Sequence, residues 1–267
     1  MSGCLQGKTA IVFGAGHIGE GWSNGKAVAV GYAREGARVV CVDLNEEAAA
    51  ETSAAIAAEG GQALCVATDV TDLASVERAA AAAAERFGGI DILHNNVGVT
   101  HMGGPVELSE ERFQAAVDLN LGSVYRTAKA VIPHMLRRGG GAIVNISSLA
   151  SIRYTGYSYF AYYATKAAVN HATVALAMQY AGRNIRANCV IPGAIDTPLI
   201  YKQIAAQYAS TEDMIAARCK AVPMGKMGDA WDIAHASIFL ASDKAKFITG
   251  VCLPVDGGQS CATPSSQ

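Results

Sequence analysis

No uninterrupted apolar run in this chain approaches the ~18 residues needed to cross a bilayer, so a membrane-spanning helix is not expected. Charge is scarce as well. Charged side chains make up 16% of the 267 residues and hydrophobic ones 51%, against an ordinary charged share of about 25%. So little charge implies that part of the surface is hidden, which predicts a homo-oligomer, a tetramer or dimer; a monomer with a large Ala-rich core is the competing explanation. There is no basic run, and the formal net charge is -2, so neither nucleic acid nor an acidic membrane surface is an expected partner. CxxC pairs are missing too. The seven cysteines (Cys4, Cys41, Cys65, Cys189, Cys219, Cys252 and Cys261) are scattered and odd in number, which predicts free thiols and neither a disulfide framework nor a metal site. Met1 to Lys8 lack the charged and apolar regions of a signal peptide, so the cytosol is the expected location. What remains as the default partner is a small molecule.

What is present is a pattern. Short β-branched runs, Thr9 to Phe13, Arg38 to Val42, Ala63 to Ala67, Ile90 to Leu93, Ala142 to Ile146 and Ile185 to Ile191, alternate with longer Ala-rich segments. Runs apolar throughout are expected of strands covered on both faces, and each gap is long enough for a crossover helix. The pattern predicts an α/β fold: a Rossmann-type, doubly wound parallel sheet with helices on both faces, in a single domain over residues 1–267. Two stretches read as irregular. Gly14 to Gly25 is dense in glycine, and residues 197–223 run from a Thr-Pro to a Val-Pro pair and suggest a substrate lid. Ligands of such sheets bind outside the carboxyl ends of the strands, so the residues just after each run are the ones to inspect.

Gly14, Ala15, Gly16, His17, Ile18 and Gly19 satisfy GxGxxG directly after the first run, where glycines let the backbone approach a pyrophosphate at a helix N-terminus. The loop continues through Gly25 before the Ala-rich run from Lys26. Asp43 follows the second run, eighteen positions after Gly25, where a carboxylate can accept hydrogen bonds from the adenosine ribose and repel a 2′-phosphate. The same residue could instead cap the helix starting at Glu46. Tyr162 and Lys166 stand four apart, on one helix face, so that the lysine can stabilise a phenolate otherwise scarcely formed near neutral pH. Tyr163 also meets that geometric criterion. Ser147 and Ser148 end the fifth run, where a hydroxyl can polarise a substrate oxygen. Asn120 is unfavourable within a long helical segment, and Gly122 adds to the irregularity there.

Taken in order, these motifs resemble the short-chain dehydrogenase/reductase family over essentially the whole chain, Lys8 to Gly258. The family's first turn reads TGxxxGxG. Gly14 matches its first glycine, and Ser23, Asn24 and Gly25 look like its closing GxG with about five residues inserted, so the GxGxxG match reads as partly accidental. The resemblance implies that Gly14, Asn24 and Gly25 lie near the pyrophosphate. It sets Asp69 and Val70 at the adenine, and Asn96, Val97 and Gly98 in a variant NNAG turn, although Asn-Asn-x-Gly is also an ordinary turn sequence. Pro192, Gly193, Ile195 and Thr197 resemble the segment that orients the nicotinamide carboxamide, and Asp256, Gly257 and Gly258 the family's closing motif. The YxxxK motif selects Tyr162 as general acid/base with Lys166 lowering its pKa. It implies Ser148 as the residue that polarises the substrate oxygen, with Ser147 in reserve because Ser148 precedes Tyr162 by one position more than is common, and Asn120 as the holder of a relay water.

The implied activity is oxidoreduction between NAD and a secondary alcohol or ketone. Asp43, the lack of Arg or Lys at 44 and 45, and Trp22 where NADP-preferring relatives often carry a basic residue all favour NAD. His101, Met102, Ile152, Tyr154, Tyr159, Ile200, Tyr201 and Tyr208 are candidate substrate walls. With only Arg153 and Lys202 placed to clamp an anion, an uncharged, cyclic or aromatic substrate is expected. The rivals are an NADPH-dependent 3-oxoacyl-type reductase, which Asp43 disfavours, and a non-catalytic NAD(H) sensor, which an intact Asn, Ser, Tyr and Lys set disfavours.

Overall fold

The computed structural model describes residues 3–17 and 19–262; Ile18 of the glycine-rich motif and the two chain ends lie outside the described residues. The strands are β1 (Thr9–Phe13), β2 (Arg38–Asp43), β3 (Ala63–Ala67), β4 (Ile92–Asn95), β5 (Gly141–Ile146), β6 (Ile185–Pro192), the two-residue β7 (Ile195–Asp196) and β8 (Gly228–Asp229), and β9 (Cys252–Val255). Between them run α1 (Asn24–Arg34), α2 (Glu46–Ala58), α3 (Leu73–Phe87), α4 (Glu110–Val117), α5 (Ser123–Arg138), α6 (Phe160–Tyr180), α7 (Pro198–Gln203), α8 (Thr211–Lys220) and α9 (Ala230–Ala241).

Seven strands form one parallel sheet in the order β3-β2-β1-β4-β5-β6-β9. This is the doubly wound arrangement expected from the apolar runs. Alternate residues of β1 show why those runs carry no polar face: Ala10 and Val12 pack under α1 and α9 with Val28, Tyr32, Ile233 and Leu240, while Ile11 and Phe13 pack under α3 and α5 with Val76, Val131 and Met135. The chain reverses direction of winding between β1 and β4, so the carboxyl ends of these two strands open the cleft.

Three details depart from the sequence reading. The fourth strand begins at Ile92, not Ile90; Asp91 forms the corner, its amide donating to the Thr9 carbonyl (2.9 Å) and its carboxylate accepting the Thr9 amide (2.8 Å). The edge strand β9 escaped notice because Pro254 sits within it, and an edge position tolerates a residue without an amide hydrogen. The segment 197–223 holds two helices; the Thr-Pro pair that reads as a turn is the start of α7, with proline in its first turn.

A buried polar chain ties the central strands to the helix behind them. Asn95 donates to Asn145 (2.8 Å), and Asn145 donates to Thr173 on α6 (2.8 Å). Replacing Asn145 with Ala strands the Asn95 amide in an apolar interior, at about 2–3 kcal/mol. A urea unfolding midpoint should fall accordingly; an unchanged midpoint would show that the chain contributes nothing to stability.

Candidate active site

A cleft of about 930 Å³ runs along the carboxyl ends of β1, β2, β4, β5 and β6 and under the helices of segment 197–223. Its walls include Gly14, Asn24, Asp43, Asp69, Val70, Asn96, Val97, Gly98, Ser147, Ser148, Tyr162, Lys166, Pro192, Gly193, Ile195 and Thr197. Two residues expected there stand behind the wall, Gly25 and Asn120.

At one end the glycines are explained by contacts. Gly14 has φ +79°, and a Cβ on Gly25 would lie 1.8 Å from the Gly14 carbonyl oxygen. A Cβ on Gly16 would lie 2.7 Å from the Asp43 carboxylate, which instead accepts the Gly16 amide at 2.9 Å. The GxG at 14 and 16 is therefore required by packing, which corrects the view that this match is partly accidental. Helix α1 starts two residues earlier than its Ala-rich run, because the Ser23 hydroxyl accepts the Lys26 amide and caps it. The cap of α2 is Asn45, so Asp43 is not a helix cap; its other oxygen accepts the Asn45 amide (3.1 Å).

The long turn is anchored on both sides. His17 bonds Glu51 on α2 and the Gly19 carbonyl, so it is not a free loop histidine. Trp22 packs on Trp231 of α9, with ring centroids 4.8 Å apart. The Asp69 carboxylate accepts the Thr71 amide (2.8 Å) and hydroxyl (2.7 Å), which hold its pKa below the usual range.

At the other end, the neighbouring tyrosines separate. The Tyr163 hydroxyl accepts the Thr155 amide (3.0 Å) and donates to the Tyr157 carbonyl (3.1 Å), pinning the loop before α6. Tyr162 faces the cleft, with the Ser148 hydroxyl in hydrogen-bond contact; burial raises its pKa and that contact opposes the rise. Ser147 instead donates to the Lys166 carbonyl (3.1 Å), a bond internal to the scaffold. The Lys166 ammonium lies 5.7 Å from the Tyr162 ring centroid, donates to the Ile146 carbonyl (3.0 Å), and has its pKa pulled down to about 8 by burial. Gly98 leaves room for it, since a Cβ there would stand 3.0 Å from Nζ.

Asn120 sits in a π-helical turn, Asp118–Gly122, between α4 and α5. Its side chain is fully engaged: Oδ1 accepts the Val99 amide (2.7 Å), and Nδ2 donates to the Val99 carbonyl (3.0 Å) and to Thr165 (2.9 Å). Past β6, a Cβ on Gly193 would stand 2.5 Å from the Asp256 Cβ, and Gln259 accepts the Ala194 amide (2.7 Å).

Of the anticipated substrate walls, Tyr159, Ile200 and Tyr208 line the cleft, whereas His101, Met102, Ile152, Tyr154 and Tyr201 do not. Tyr154 stacks on Tyr163, and Tyr201 donates to Asp196. Arg153 is spent on the carbonyls of Gln259 and Ala262. Tyr157, Gln203, Arg218 and Gln259 were missed. Gln259 adjoins the DGG motif and could have been suspected; Arg218 lies in a short helix without a marked apolar face, with no local signal. Its presence removes the premise on which an uncharged substrate was expected.

The comparisons bear on the family and the fold. A family model described as enoyl-(acyl carrier protein) reductase matches residues 19–260. The chain is 42% identical over 260 residues, 97% of its own length and 99% of the relative's, to 2,5-dichloro-2,5-cyclohexadiene-1,4-diol dehydrogenase LinX of Sphingobium indicum. A solved structure described as a short-chain dehydrogenase/reductase from Burkholderia xenovorans superposes with a TM-score of 0.92 at 43% identity, covering 98% of this chain and 100% of the other. This chain is a short-chain dehydrogenase/reductase. It is also 34% identical, over 96% of its length and 81% of the relative's, to 2-keto-3-deoxy-L-fuconate dehydrogenase of Xanthomonas campestris. It is thus an oxidoreductase of small molecules, in a family that uses a nicotinamide cofactor.

The cleft fits such a cofactor. Gly14 and Gly16 line it without a side chain, Gly25 behind them lets α1 approach the Gly14 carbonyl, and the Asn24 Oδ1 is buried with no partner. Gly16→Ala should push the Asp43 carboxylate out of place and weaken NADH binding tenfold or more, about 1.4 kcal/mol. Fluorescence titration of NADH checks this, and unaltered affinity would refute the role given to the close approach.

Proposed function

We propose that this enzyme interconverts a secondary alcohol and its ketone with NAD, on a cyclic or aromatic substrate. The observation that carries the reading is the grouping at the end of β5: the Tyr162 hydroxyl on the cleft wall, Ser148 bonded to it, and the Lys166 ammonium beneath its ring. The names of the relatives, a cyclic diol dehydrogenase and a keto-sugar acid dehydrogenase, favour the same class of reaction.

Bound nicotinamide supplies the hydride acceptor. Tyr162 takes the hydroxyl proton during oxidation and returns it during reduction, and Ser148 donates to the substrate oxygen. Lys166 offsets the burial that raises the Tyr162 pKa, since a nearby cation favours the phenolate. Because the Asn120 side chain is closed by Val99 and Thr165, a relay water at this residue falls to its main-chain carbonyl in the π-turn. On the cofactor side, Gly14, Asn24, Asn96, Val97 and Gly98 form the floor under the pyrophosphate and sugar, with Gly25 supporting Gly14 from behind, Asp69 and Val70 the adenine edge, and Pro192, Gly193, Ile195 and Thr197 the carboxamide edge. Asp43 holds the ribose and excludes the NADP phosphate. Segment 197–223 acts as the lid.

The rest of the reading is a cytosolic homo-oligomer, a tetramer or dimer. Cys41 and Cys65, and Cys189 and Cys252, are free thiols in register on neighbouring strands, which suits a reducing compartment. An apolar groove between α5 and α6, lined by Leu121, Ile132 and Leu176, and the exposed Tyr125 and Met178 suit subunit contact. Among the described residues no helix is long and apolar enough to cross a membrane, and no cluster of His, Cys, Asp and Glu suits a metal ion.

Tyr162→Phe should abolish turnover of any alcohol found in a panel run with both cofactors, while NADH affinity stays unchanged; substantial remaining activity would overturn the assignment. Oxidation should speed up as pH rises, because the base form of Tyr162 is the deprotonated one, and reduction should slow. Asp43→Ala should raise the KM for NAD and relax the exclusion of NADP. Equal use of both cofactors by the unaltered enzyme would contradict the NAD preference.

A further inference from the structure

Arg218, in the last turn of α8, lines the cleft and takes part in none of the interactions assigned so far. Its Nε lies 3.3 Å from the Met227 sulfur, a weak acceptor, and no hydrogen bond from either terminal nitrogen to a described residue is present. Among the described residues no carboxylate forms an ion pair with it. A cation in a last helical turn also suits the helix dipole, but that needs no position on a cleft wall.

The surroundings are built of phenols. The hydroxyls of Tyr157 and Tyr208 are hydrogen-bonded to each other at 2.5 Å on the same wall. The charge of Arg218 is felt at Tyr159, Tyr201 and Tyr208, where it opposes the upward pull of burial. The charges along the cleft are also divided by end. The carboxylates on its walls are Asp43, at the end of β2, and Asp69, just past β3, and from Ile146 onward no lining residue is acidic. Lys166, the other lining cation in that half, is committed to the Ile146 carbonyl beneath Tyr162.

We propose that Arg218, with the hydroxyls of Tyr157 and Tyr208, forms an anion-binding subsite at the lid end of the cleft, and that the substrate is a hydroxy acid whose carboxylate lies several bonds from the reacting carbon. The proposal rests on the alcohol/ketone reading of the same site and names its substrate class. The separation follows from Tyr159: its ring stands 5.9 Å from that of Tyr162, and the charge of Arg218 is felt at Tyr159 but is not among the influences on Tyr162, so the guanidinium lies farther from the reacting centre than Tyr159 does. A guanidinium matches a carboxylate in charge and in its paired donors. A phosphate dianion would call for a second cation, and this half of the cleft supplies no other uncommitted one among the described residues.

The test compares cyclohexanecarboxylate with cyclohexanecarboxamide for binding to the NADH-loaded enzyme by calorimetry. The carboxylate should bind about tenfold to a hundredfold more tightly, a charge-assisted contact being lost in the amide. Arg218→Gln should abolish the preference, Arg218→Lys should keep part of it, and NADH affinity should be the same in all three, which also shows that the variants fold. Equal or absent binding of the two probes, or a preference that survives Arg218→Gln, would overturn the proposal. A loss of NADH affinity in Arg218→Gln would overturn it too, by assigning the cation to the cofactor. Because the measurement needs no turnover, Tyr162→Phe keeps the carboxylate preference even if the proposed chemistry fails; conversely, brisk oxidation of neutral alcohols with no carboxylate preference would leave the chemistry standing and remove the subsite.

Discussion

A buried ammonium organises the end of the cleft at β5 and α6. Lys166 is almost wholly enclosed, and a cation taken out of water has to be given partners or lose its proton. It receives one strong acceptor, the Ile146 carbonyl where β5 ends, and that bond fixes α6 against the sheet. The neighbours follow from it. Gly98 has to be small, Ser147 is turned back to hold the Lys166 carbonyl, and Asn120 closes the loop at Val99 and binds Thr165, one residue before the lysine. Tyr162, one helical turn earlier, is left with its ring over the charge and its hydroxyl in the cleft.

Enclosure also poses the chemical problem that the site has to solve. Burial pulls Lys166 down to about 8 and pushes Tyr162 up, so each shift, considered separately, is toward the neutral form. Their proximity works the other way, because phenolate and ammonium stabilise each other most where water is least able to screen them. The remainder of the cleft is polarised along its length. Acidic groups stand at the β2 and β3 end and an uncommitted guanidinium at the α8 end, a division that under the proposed function lets one groove sort its two ligands by charge.

Much of this was legible in the sequence because it is repeated or local. Strands covered on both faces leave continuous apolar runs, and six of the seven strands of the main sheet were found from them. The glycine turn, Asp43, and the Tyr162 and Lys166 pair sit at fixed distances from those strands, so their neighbourhood in space could be anticipated. The choice between adjacent residues was not available to spacing. Tyr162 differs from Tyr163, and Ser148 from Ser147, through which hydroxyl is consumed by backbone groups: Tyr163 by the loop just before α6, and Ser147 by Lys166 on the helix. Gly16 illustrates the same limit: its need for hydrogen in place of a side chain arises from Asp43, 27 residues distant. The substrate walls were hardest to anticipate. They come from short helices in a segment without periodicity, where nothing in the neighbourhood of Arg218 marks the face that meets the cleft.

The central claim is that Tyr162 is the titrating acid/base and that Lys166 makes it one. It is tested most directly by ultraviolet difference titration of the NAD-bound enzyme, comparing the unaltered protein with Tyr162→Phe and Lys166→Met. The account predicts a tyrosinate that forms below the ordinary phenol range of about 10, is absent from Tyr162→Phe, and moves to higher pH in Lys166→Met. A Tyr162 that titrates at or above that range in the complex, or one indifferent to the loss of Lys166, would contradict it.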